Sequence, residues 1–154
     1  MKQIFLIVAF MGSLVFGQTG PHVIFDANVD APLTARERAM IVEAFGDKAQ
    51  AYVFDQPFTE RDLKDFLRNR VKVIRLDRAK YQNEPMYQNL PQLQNVGLYD
   101  VHNSSVIRDM VYNESTFNIL KYDINHHPVK EEIYQFGDYF ITILPQKRGT
   151  IKRR

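Results

Sequence analysis

The side chains whose types and spacing could do chemistry are histidines and carboxylates. His126 and His127 are adjacent, and an imidazole pair can ligate a metal or move protons near neutral pH. Neighbours on an extended segment project to opposite faces, so a shared ion needs a special turn, which Pro128 permits. His22, Asp26 and Asp30 form a second constellation. On a strand His22 and Asp26 share a face, as metal ligands or as a base and its orienting acid. Asp26, Asn28 and Asp30 also alternate as calcium-loop ligands do, with Glu37 where a bidentate carboxylate would fall. The glycine such a loop requires falls on Ala31, and Pro32 stiffens it. Asp26 to Pro32 otherwise has the composition of a turn leading into a helix.

Other chemistries drop out on composition. The chain has 154 residues and no Cys, which removes disulfides, thiol nucleophiles, Fe–S clusters and thiolate zinc sites. Beyond residue 17 the serines are Ser104, Ser105 and Ser115, none in a nucleophile-elbow or S-x-x-K setting. Neither a dinucleotide fingerprint nor a P-loop occurs, and no cofactor is expected.

The first seventeen residues have the form of a secretory signal peptide: Lys2, an apolar run from Ile4 to Met11, and Val15 and Gly17 placed for cleavage before Gln18. The apolar stretch falls short of the roughly 20 residues a membrane span needs, so no transmembrane span is expected in the mature chain. Residues 18–146 are expected to form a single domain and 147–154 a basic tail. The domain carries 14 basic against 18 acidic side chains, a net of −4, whereas Lys147, Arg148, Lys152, Arg153 and Arg154 give the tail +5. Such a tail can meet an anionic membrane surface or an acidic envelope protein, or simply keep the chain solvated.

The elements that must position these groups follow from pattern. His22 to Asp26 is strand-like. Thr34 and Glu37 form a capping box for a helix over 35–45 that Gly46 stops. Residues 51–55 favour a short helix, with a strand as the alternative. Thr59 is expected to cap the next helix, with Phe58 stapled onto Leu63 and an end near Arg70. The basic residues of 61–80 would then lie on its wet face, which with an exported address argues against nucleic acid as a partner. Val71 to Asp77 alternates as a half-buried strand does.

Between Arg78 and Ser105 periodicity disappears, yet Tyr81, Met86, Tyr87, Leu90, Leu93 and Tyr99 recur. The segment should therefore lie against this domain's own core or against a partner. The C-terminal third has strand-like runs at 106–107, 110–112, 116–122, 132–136 and 139–144, the last two joined by a Gly137-Asp138 hairpin turn. The expected fold is α+β: N-terminal helices packed on a C-terminal antiparallel sheet, with a long irregular middle segment. The alternative is α/β with a short β-α-β-α-β element.

Leu14 to Gln18, Thr116 to Tyr122 and Asp138 to Pro145 together resemble small uncharacterised exported proteins of Bacteroidota bacteria. The resemblance spans about a quarter of the chain and implies an envelope address without an activity. The expected function is a non-enzymatic exported interaction or accessory protein of the bacterial cell envelope, periplasmic or outer-membrane associated, with the aromatic residues of 78–105 and the tail as contact surfaces. The competing class is a small secreted hydrolase or metal-binding protein using His22, Asp26, Asp30 or His126-His127.

Overall fold

The computed structural model describes residues 22–149; the expected signal peptide and Lys152, Arg153 and Arg154 lie outside them. The fold is mixed α+β, with helices preceding a three-stranded antiparallel sheet.

β1 (His22–Val23) leads through a 3₁₀ turn at Ala27–Asp30 into α1 (Ala35–Phe45). The capping box is present: Thr34 Oγ1 accepts from the Glu37 N–H at 3.1 Å, and the Thr34 N–H donates to Glu37 Oε2 at 2.7 Å. Gly46, at φ +54°, ends the helix in a conformation that a side chain resists.

Residues 46–54 continue as a 3₁₀ turn and then a wide π-turn over Gln50–Phe54. Gln50 closes this turn by donating to Asp55 Oδ1 at 2.6 Å, and Ala49 and Val53 enter the core. The helical preference of Ala49-Gln50-Ala51 prevails over the strand preference of Tyr52-Val53-Phe54, so the β-α-β-α-β alternative does not form.

α2 (Pro57–Asp65) begins two residues before the cap expected at Thr59. Pro57 occupies its first turn, where a fixed φ and a missing N–H suit helix initiation, and Thr59 is an interior residue. Phe58 does not staple onto Leu63; it is 67% exposed and meets the Phe25 ring edge-on. A second π-turn, Phe66–Arg70, carries the chain to the expected end.

β2 (Val71–Arg75) turns Val73 inward and Ile74 outward, as alternation requires. It pairs with β4 (Tyr139–Ile143), which pairs in turn with β3 (Glu132–Phe136), giving the order β2-β4-β3. Gly137, at φ +61°, makes the expected tight hairpin. The sheet thus draws one edge strand from the middle of the chain. The runs at 106–107, 110–112 and 116–122 form no strand. Asn118 Oδ1 accepts from the Leu120 N–H at 3.0 Å and curls the last of them into a buried 3₁₀ turn, a local bond that competes with a ladder.

One face of the sheet, with Val73, Ile141, Ile143, Tyr134 and Phe136, packs against α1, α2 and the Phe117–Tyr122 segment. The middle segment supplies both of its remaining covers. After α3 (Arg78–Tyr81), Tyr81 and Tyr87 lie over Phe140 on the opposite face, each with ring centroids 4.8 Å away. Farther on, Leu93, Val96, Leu98 and Tyr99 join the main core.

Past residue 146 the chain still touches the body. Lys147 holds Asp26 through both carboxylate oxygens at 2.8 Å, and β5 (Arg148–Gly149) pairs with β1.

Candidate functional site

The residues first singled out for chemistry do not converge. Asp26 is held by Lys147, and Asp30 pairs with Arg61 at 2.9 Å. Glu37 is gripped by Arg68, Nε to Oε1 at 2.6 Å and Nη2 to Oε2 at 2.7 Å. With two charge-assisted bonds and the helix cap all favouring the carboxylate, its pKa is pulled from 4.5 to about 2. Arg68 spends its remaining donors on the carbonyls of Asn28, Ala31 and Pro32, so the guanidinium latches the 28–32 loop onto α1. A calcium loop would need those oxygens turned inward around an ion. Among the described residues, no three His, Asp or Glu side chains are grouped to hold a metal.

The basic stretch is a wet face only in part: Arg61, Lys72, Arg75, Arg78 and Lys80 are exposed, as expected, while three others turn inward. Lys64 and Arg70 are buried and Arg68 nearly so, because each has an acidic partner within the fold. Such pairing is the condition for burying a cation.

His126 does reach a site, although not beside His127 on one metal. It lines a cleft of about 360 Å³ between the end of α1, the first π-turn, α2 and the loops at 99–102 and 123–126. Its ring lies 4.4 Å from that of Phe66, and burial pushes its pKa down from 6.5 to about 4, leaving a neutral imidazole at physiological pH. The His126 carbonyl accepts from Arg70. Arg70 is 4% exposed at its side chain; its Nε stands 2.8 Å from Asp65 Oδ2, close enough for ion pairing but out of line for a hydrogen bond. His127 has its Nε2 3.2 Å from Asp62 Oδ2, and Gln146 donates to Asp62 Oδ1 at 2.8 Å.

The opposite wall is aromatic. His102 stacks on Phe45 with centroids 5.2 Å apart and an interplanar angle of 18°, lies 4.6 Å from Tyr52, and takes the edge of Tyr99 at 5.7 Å. Its position is fixed by the next residue: Asn103 donates to the Glu43 carbonyl at 2.7 Å and accepts from the Ser105 N–H at 3.1 Å. Asn103 presses so closely on Gly46 that a β-carbon there would come within 3.2 Å of it. The glycine that ends α1 thereby admits the loop that delivers His102.

Asp123 completes the rim, exposed and without a side-chain hydrogen bond or ion pair among the described residues. The cleft thus offers aromatic faces, a neutral imidazole and one uncommitted carboxylate, a composition suited to holding a small polar molecule. Tyr52, Asp62, His102 and Asp123 escape sequence reasoning because they come from four separate stretches, and none stands in a motif.

The residues expected as contact surface divide. Tyr81, at 8% exposure, and Leu93, at 0%, are spent on the protein's own core; Tyr87, Leu90 and Tyr99 are half-buried, and Met86 is 54% exposed. Lys147 is paired, and Arg148 lies in β5. No protein-family model, curated protein or solved structure matches the chain.

Proposed function

We propose that this is an exported, non-enzymatic accessory protein of the bacterial cell envelope that works by binding, and that the cleft around His102 and His126 is where it binds. The observation that carries this reading is that two of the cleft's titratable groups, Asp62 and His126, are already engaged or held neutral. Asp62 is shared by Arg70, Gln146 and His127, and burial disfavours protonated His126, while the aromatic faces of Tyr52 and His102 remain beside open volume. Envelope partners, whether a protein or an anionic membrane surface, belong to the same proposal. No described helix is long and apolar enough to cross a membrane.

Two measurements test it together. Expressed with its leader in a Gram-negative host, the protein is expected in the envelope fraction with Gln18 as its first residue, and to leave chromogenic esters, phosphates and glycosides unturned. Intact Met1 in the cytosol overturns the location. Turnover abolished by Asp62→Asn or His127→Gln overturns the binding role in favour of a hydrolase.

A further inference from the structure

We infer that the cleft receives an organic ammonium ion, with Asp123 as its counter-charge and the rings of Tyr52, Tyr99 and His102 as its apolar seat. The inference rests on the binding role proposed above and names the class of ligand.

Charge complementarity supports it. Asp123 lines the cleft with no cation of its own among the described residues. Arg70, the buried cation that bonds the His126 carbonyl, is taken up by it together with Asp65 and Asp62. An anionic guest would therefore face an unpaired carboxylate, whereas an ammonium gains an ion pair. Aromatic faces act in the same direction, because the electron-rich face of a ring attracts a cation, the more so where water is partly excluded. His102 already lies against three rings, and Tyr52 is 52% exposed, with surface left for a guest. Burial keeps His126 uncharged, so the imidazole on that wall adds no repulsion. The volume, about 360 Å³, lies at the small end of ligand pockets and fits an amine of one ring or a few carbons.

The test titrates the full-length protein with benzylamine, benzyl alcohol and benzoate, following the imidazole resonances of His102 and His126 by NMR. Benzylamine is expected to move both and to bind about tenfold tighter than the alcohol, with benzoate weakest. In Asp123→Asn the preference for the amine should fall several-fold, to what the rings alone supply, while affinity for the alcohol holds. Because Asp123 is exposed, the variant keeps the native amide fingerprint, which is recorded alongside. Equal binding of amine and alcohol at the cleft, or an amine preference undiminished in Asp123→Asn, overturns the inference and leaves the binding role standing. Failure of all three probes to move His102 and His126 overturns both.

Discussion

The Arg68 latch and the His102–His126 cleft each bring a carboxylate to the surface of α2 and its π-turn, yet the two carboxylates end in opposite states. In the latch, a guanidinium meets a carboxylate and three carbonyls, and both Glu37 oxygens are used. In the cleft, rings stack beside open volume and Asp123 is left over. Satisfied polar groups in a half-buried setting stabilise a fold, whereas unsatisfied ones at an opening are available to a guest. The latch adds to the stability of a fold held chiefly by its apolar core, and the cleft is where the proposed guest would find free groups.

Breaking the latch should have the largest effect. Arg68→Ala leaves the buried Glu37 without its cation and is expected to cost about 2–3 kcal/mol in urea unfolding, with part recovered in Arg68→Ala/Glu37→Ala. The same pair predicts an acid transition. Glu37 has a folded pKa of about 2 against 4.5, so its stabilisation is complete above pH 4.5 and is lost as pH falls toward 2. Glu37→Gln should abolish that slope, and an unchanged slope would remove the latch from the account.

The cleft titrates in a different window. His126 is held neutral in the fold, with a pKa of about 4 against 6.5, so protonation favours the unfolded chain. Stability should fall as pH drops from 6.5 to 4 and level off below that. His126→Gln should flatten this upper window while the lower one persists. If both windows respond to one substitution, the two regions are coupled and do not act independently.

The smallest effect belongs to the exposed wall. Tyr52→Ala removes a ring that is half in water and should shift stability by no more than about 1 kcal/mol, readable as a small change in the urea midpoint. A loss comparable to that of Arg68→Ala would make the aromatic wall part of the core.

Local signals were legible where chemistry acts within a few residues. The Thr34/Glu37 box, the Gly46 stop and the Gly137-Asp138 hairpin all formed as their residue types dictate. Thr59 misled because Pro57 offers a stronger start two residues earlier. Residues 116–122 misled because a β-rich composition makes a strand only where another strand is free to pair, and Asn118 turned the chain first. The middle segment left open whether its aromatics served the core or a partner, since apolar side chains look alike in either case. Phe140 and the main core claim most of them.

By itself, the sequence determined the class of fold, the ends of α1, the hairpin and the exclusion of thiol chemistry, because these depend on contacts between near neighbours or on residues the chain lacks. Tertiary structure alone decided which cations are buried, which carboxylates are neutralised, and that His102 and His126 would face one cleft. Those outcomes are set by pairings across tens of residues, such as Glu37 with Arg68, Asp26 with Lys147 and Asn103 with the Glu43 carbonyl. A pairing of that kind leaves no periodicity to read, since its energy comes from excluding water around both partners at once.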